Sequence, residues 1–278
     1  MSKQSLVWIG KWTFILAAAG SAVGLGNIWG FPYKAGTNGG GAFVLIYLFC
    51  ILIIGLPIMM AEIMIGRSAQ KSPVNAMRLS AEKSDQSPSW RFVGWGGLIS
   101  GLLILSFYSV LAGICLDYIF ISGTDSGGRS TTEKFASQTA SVSKLLFWHS
   151  AFILMNIIII GAGVVSGIER IVRLLMPMLF VLMIVMVVNS IINGDFARGL
   201  SFLFAPNFSD VTPATFLSAM GQAFFSLSLG MGSIMCYGAY MPKDENVFNT
   251  SLTVCGLDTL IAVSYTHLRA HETDYHLV

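Results

Sequence analysis

Seven apolar segments follow one another along the chain, separated by polar stretches. They run from Trp12 to about Lys34, Ala42 to Ile65, Phe92 to Ser122, Leu145 to Val165, Leu174 to Ile192, Phe216 to Tyr240, and from Val247 to a fading end at Ser264. A helix needs roughly 20 residues to cross the hydrocarbon core of a bilayer, so the first six suffice and the last is marginal. Backbone polar groups in lipid must pair within their own segment, which leaves helix as the sensible reading. The pattern predicts an all-α integral membrane protein with about seven transmembrane helices.

Composition agrees. Charged residues make up 11% of the 278 residues, where a soluble domain carries roughly 25%. The mean hydropathy is +0.72, so the bilayer must act as much of the solvent. A net charge of +2 with no basic arm or stripe excludes nucleic acid as a partner. Cys50, Cys115, Cys236 and Cys255 each lie inside an apolar run without metal-ligand spacing, and read as small buried residues. The first apolar run is too long for the core of a cleavable leader and contains Asn27 and Pro32, so no leader is expected.

Charge between the segments sets an orientation. With the amino terminus in the cytoplasm, the inner side holds ten basic residues: Lys3, Lys11, Arg67, Lys71, Arg78, Lys83, Arg91, Arg170, Arg173 and Lys243. The outer side holds five: Lys34, Arg129, Lys134, Lys144 and Arg198. The bias favours this orientation. The Ser/Thr/Gly-rich stretch 123–143 reads as a mobile outer loop. Lys71 to Ser89 reads as a polar cytoplasmic segment, and Asp117 as a solvated carboxylate.

The end of the chain changes character. After Val263 it turns polar, and three of the four histidines fall in the last twelve residues. His267 and His271 share a helical face, but their surroundings lack the order of a zinc protease motif. Charge here would be left in lipid. Residues 264–278 read as a non-native tail, from a frame error or a joined foreign segment.

Candidate chemistry sits where two apolar segments are interrupted. One contains Gly20-Ser21-Ala22-Val23-Gly24-Leu25-Gly26-Asn27; the other contains Ser226-Leu227-Ser228-Leu229-Gly230-Met231-Gly232-Ser233. Glycine, serine and asparagine are poor helix formers. Gly-interrupted membrane segments point to discontinuous helices lining a site. Unwound backbone frees carbonyl oxygens suited to a small hard cation, and half-helix amino termini attract a carboxylate. The competing reading is close helix packing, which the Gly20-x-x-x-Gly24 spacing also fits.

The motifs around these breaks resemble the neurotransmitter:sodium symporter family, in its bacterial amino-acid transporter form. The run Ala22 to Trp29 followed by Phe31-Pro32-Tyr33 is similar to its first helix. Asn38 to Phe43, Pro57 with Glu62 and Gly66-Arg67 resemble its second, Gly167 to Arg170 with Met176-Pro177 its fifth, and Phe224 to Gly232 its broken sixth. The likeness covers about Trp8 to Val263. It implies a LeuT-type inverted-repeat fold with helices 1 and 6 unwound mid-membrane. Residues 1–263 would form a carboxy-terminally truncated transporter domain, with a first five-helix repeat at about 8–192 and the start of a second at about 212–263.

The resemblance also implies residue roles. One sodium would meet the Ala22 carbonyl, Asn27, Ser226 and Asp258, with the substrate carboxylate completing the shell. A second would use the carbonyls of Gly20 and Val23, and its remaining ligands lie on an eighth helix that this sequence does not contain. The substrate carboxylate would meet the N–H groups of Leu25 and Gly26 and the Tyr108 hydroxyl. Ile104, Phe225, Ser228 and Met231 would line the side-chain pocket. Asp258 would supply the negative charge that makes chloride unnecessary. Gly30 and Ser5 depart from the family pattern, where many relatives carry gate arginines, whereas Trp8 and Lys11 fit it. The implied function is sodium-coupled symport of a neutral, hydrophobic or aromatic amino acid across a bacterial inner membrane. A non-transporting amino-acid binding protein or sensor, or an inactive fragment, is the second reading, and an enzyme is not expected. The particular amino acid, the sodium stoichiometry and the oligomeric state stay open.

Overall fold

The structure is a computed structural model that describes residues 11–124, 133, 135–136, 139–193, 196–209 and 211–270. Ser5, Trp8, His271, the side chains of Lys11 and His267, and most of the 123–143 loop lie outside the described residues. All regular structure among the described residues is helical.

The chain forms two compact units, one of residues 1–97 and 172–278 and the other of residues 98–171. The first opens with α1 (Lys11–Ala22), a π-type turn at Gly26–Gly30 and α2 (Phe31–Thr37). Then come α3 (Gly41–Cys50), a second π-type turn at Ile51–Gly55, α4 (Leu56–Ala69) and α5 (Pro73–Lys83). The long α6 (Arg91–Thr124) leads into the second unit, which holds α7 (Val142–Gly161). After a π-type turn at Val164–Glu169 the chain returns through α8 (Arg170–Asn193) and α9 (Phe196–Phe204). It ends with α10 (Pro213–Ser226), α11 (Ser233–Gly238) and α12 (Val247–Ala270).

Five helical stretches are long and apolar enough to cross a membrane without a break: 41–69, 88–122, 142–161, 167–193 and 247–266. Two further pieces, Phe14–Ala22 and Gly26–Thr37, bent by 49°, are together long and apolar enough for a sixth when counted as one span. The remaining apolar segment is split into α10 and α11, of 14 and 6 residues. At 1.5 Å per residue neither piece spans a bilayer alone. The seven expected segments are thus present, and the two that carry Gly-Ser runs are the two that break. The outward faces are greasy, with Leu102 67% exposed and Ile192 72% exposed, as lipid-facing helices require.

Inside the first unit the packing is tight because small residues let backbones touch. A Cβ on Gly66 would collide with the Met235 carbonyl, and one on Gly238 would stand 2.7 Å from the Ile63 carbonyl. These two glycines seat α4 against α11. Phe31 packs edge-on against Tyr47 with ring centroids 4.6 Å apart, which fixes α2 on α3. Gly20 does take part in close packing, since a Cβ there would lie 3.2 Å from Met176 Sδ. That packing coexists with the break a few residues later.

The polar stretch after Lys71 contains α5, whose Pro73, Ala76 and Ala81 are buried. Two expectations need correction. Cys115 and Cys236 are exposed rather than buried. Asp117 is 5% exposed rather than solvated, and pairs with Lys144 at 2.8 Å within the second unit. Helix α12 runs on past the end of the apolar run to Ala270, with Tyr265 and Thr266 buried.

Candidate functional site

The first break follows from local backbone chemistry. The helical ladder closes at Val23, whose N–H bonds the Ala19 carbonyl at 2.7 Å. Beyond it the Gly24 carbonyl receives the N–H groups of both Asn27 and Ile28, at 3.0 and 3.1 Å. The chain then widens into the π-type turn, and Pro32 starts the next helix where a missing N–H costs nothing. The second break is sharper. Ser228, Gly230 and Gly232 have φ of 54°, 80° and 77°. Glycine takes this left-handed backbone freely, while the serine pays a steric cost.

The two breaks lie side by side. Ser228 Oγ donates to the Ser21 carbonyl at 3.0 Å, and Gln222 Nε2 donates to the Gly26 carbonyl at 3.0 Å. Glu62 on α4 reaches the second break, where its Oε1 accepts from the Gly230 N–H at 2.7 Å. Ser233 Oγ donates to the Ser228 carbonyl at 3.1 Å. Carbonyls and amides that the unwinding leaves without ladder partners are thereby held by named side chains.

Asn27, Ser226 and Asp258 converge from three helical segments, and Tyr47 on α3 joins them. Asn27 Nδ2 donates to Asp258 Oδ1 at 2.6 Å and to the Asp258 carbonyl at 3.2 Å. The Ser226 hydroxyl lies 2.5 Å from Asp258 Oδ2 and 3.3 Å from Asn27 Oδ1. Tyr47 OH lies 3.2 Å from both Ser226 Oγ and Asp258 Oδ2. Asp258 and Asn27 are both fully buried. Hydrogen-bonding oxygens and a carboxylate surround this point, yet no basic side chain among the described residues faces Asp258.

Of the residues singled out from sequence, Gly20, Ala22, Val23, Leu25, Gly26 and Asn27 fall on the first break and its flanks. Phe225, Ser226, Ser228 and Met231 fall on the second, and Asp258 on α12 beside both. Ile104 and Tyr108 belong to the other unit, where they are half-buried on one face of α6 while Leu105, Ser106 and Phe107 between them are exposed. Sequence reasoning passed over Tyr47 and Gln222. Tyr47 stands in the apolar run Val44 to Ile51, and a lone polar tip there is a signal worth weighing. Gln222 lies one helical turn before Ser226, on the same face as the break.

The sequence profile of the sodium:neurotransmitter symporter family matches residues 6–144 and 131–267. An uncharacterized sodium-dependent transporter of Bacillus subtilis is 38% identical over 268 residues, covering 95% of this chain and 58% of the relative. A second uncharacterized sodium-dependent transporter, from Haemophilus influenzae, is 34% identical, covering 94% of this chain and 60% of the relative. The crystal structure of MhsT in complex with L-phenylalanine is similar with a TM-score of 0.86 and 43% identity, over 94% of this chain and 60% of that one. The chain therefore spans about three-fifths of the length of these relatives. The LeuT-type fold expected from the motifs is the fold found. With a profile that runs along nearly the whole chain and relatives this similar, the chain belongs to the sodium:neurotransmitter symporter family.

Proposed function

We propose that the protein carrying this chain is a sodium-coupled symporter of a neutral, hydrophobic or aromatic amino acid. The observation that carries this reading is Asp258, a carboxylate with no exposure and no basic partner among the described residues, set beside both helix breaks. A buried charge is costly unless it is paired. Sodium is the missing countercharge. The Ala22 carbonyl, Asn27 Oδ1, Ser226 Oγ and Asp258 would bind it as cargo, and the carbonyls of Gly20 and Val23 would serve a second ion.

The amino acid follows from the same arrangement. The N–H groups of Leu25 and Gly26 take its carboxylate, and Phe225, Ser228 and Met231 line its side chain. Ile104 and Tyr108 are assigned to it on the family likeness alone. The phenylalanine named in the MhsT complex supports an apolar side chain. Ion and substrate then stabilise each other, and linkage makes the coupling reciprocal. Transport proceeds by rocking of the broken pair against the surrounding helices. In a bacterial inner membrane, the basic bias supports an amino terminus on the cytoplasmic side.

The test is uptake of L-phenylalanine and other apolar amino acids into proteoliposomes. An inward sodium gradient should drive accumulation, and replacing sodium by potassium should abolish it. Sodium-independent uptake, or binding without transport, would defeat the proposal. With Asp258 supplying the anion, uptake should not respond to chloride. Asp258→Asn should make whatever uptake remains respond to it. A variant no more chloride-responsive than the parent removes that role from Asp258.

A further inference from the structure

We infer that the end of α4 carries a binding site for the headgroup of an anionic phospholipid. A cavity of about 380 Å³ there is lined by Met64, Arg67, Ser68, Gln70 and Lys243. Helix α4 stops at this point because Gln70 turns into the left-handed region, with φ of 48°. The Arg67 guanidinium is anchored by one bond, from Nη1 to the Glu245 carbonyl at 2.8 Å. Its other N–H groups and the exposed Lys243 ammonium have no hydrogen-bond or ion-pair partner among the described residues. Asp244 and Glu245 are the nearby acidic groups, and neither forms an ion pair with Arg67 or Lys243. Two cations therefore face one cavity, with a planar donor fork and a point charge, the pair of geometries that suits a phosphate.

The lipid origin of that phosphate is read from the helix face leading to the cavity. Phe49, Ile53, Pro57, Ala61 and Met64 are all exposed and recur at helical spacing along α3 and α4. Phe49 is 54% exposed, Ile53 60% and Met64 54%. This apolar stripe ends at the cavity, so an acyl chain lying on it delivers its headgroup to Arg67 and Lys243. Basic pockets at helix ends on the cytoplasmic side are suited to such headgroups. The Arg67–Glu245 bond ties the site to the loop between α11 and α12, so an occupied site braces the segment that follows the second break.

The inference is tested on the complete protein in nanodiscs of phosphatidylcholine with and without phosphatidylglycerol, reading bound lipid by native mass spectrometry and melting temperature. Phosphatidylglycerol should be retained preferentially and raise the melting temperature. Lys243→Gln should weaken its retention about fivefold, as loss of one surface cation implies, and Lys243→Arg should restore it. Lys243 makes no internal bond, so its loss tests the site without disturbing the fold. Equal retention of both lipids, or an unchanged Lys243→Gln variant, would overturn the inference. So would inorganic phosphate stabilising the protein as well as the lipid does, which would make the ligand a soluble anion. Protection by dimerisation through this face, independent of lipid, would assign the stripe to a second copy instead.

Discussion

The two helix breaks solve the same problem by different means. The first keeps every non-glycine residue at negative φ and loosens through a wider turn, so that the helix bends by 49° without reversing. The second commits to three left-handed residues within five positions, and one of them is Ser228 rather than glycine. At the first break Asn27 belongs to the proposed ion site and bonds Asp258, while Gln222 and Ser228 hold the Gly26 and Ser21 carbonyls. The second is held by Glu62 and Ser233, which stand apart from that site. Ion binding should therefore be sensitive at the first break, and local stability at the second.

The largest effect tests the first half of that contrast. Asn27→Ala removes two bonds to Asp258 and leaves a buried carboxylate short of a donor. Losing a hydrogen bond to a buried charged group costs about 3 kcal/mol, which corresponds to roughly a hundredfold loss in affinity. Sodium and substrate binding, each measured by calorimetry or scintillation proximity, should weaken together. A loss confined to one ligand would mean the two do not share a shell.

Glu62→Ala is the counterpart at the second break. It leaves the Gly230 N–H without its acceptor in a buried setting, at a cost of about 2 kcal/mol. The melting temperature should fall while the sodium dependence of the remaining uptake keeps its midpoint. Glu62→Gln, which retains an acceptor oxygen, should recover most of the stability. If Glu62→Ala moved the sodium midpoint as far as Asn27→Ala does, the division of labour between the breaks would be wrong.

Ser228 distinguishes backbone strain from side-chain bonding. Ser228→Ala loses the bond to the Ser21 carbonyl and keeps a side chain at φ of 54°. Ser228→Gly loses the same bond but relieves about 1 kcal/mol of left-handed strain. The glycine variant should melt higher than the alanine variant. Equal melting would show that the turn is not strained.

Much of this was legible in the residues. Apolar run length located every membrane segment, because lipid leaves the backbone a single way to pair. The Gly-Ser runs located both breaks for the same reason. The adjacency of the breaks was not readable from periodicity, since it depends on contacts such as Gln222 to Gly26 across 196 positions. Asp117 was misjudged because its partner, Lys144, lies on another helix of its unit. A lone carboxylate near a segment end carries no local sign of such a pairing. Tyr47 escaped notice because one hydroxyl in an apolar run has the same pattern as a core aromatic.

Tyr47 also provides the finest test of the ion site. Its hydroxyl has one proton and lies 3.2 Å from both Ser226 Oγ and Asp258 Oδ2. Asp258 already receives Asn27 and Ser226 at shorter distances, so the tyrosine is a third and weaker donor. Tyr47→Phe keeps the ring against Phe31 and deletes only that donor. The expected cost is about 1 kcal/mol, or roughly a fivefold rise in the sodium concentration for half-maximal uptake. An effect as large as that of Asn27→Ala would mean that the four residues act as one cooperative network. The first break would then be held by the phenol as much as by the amide.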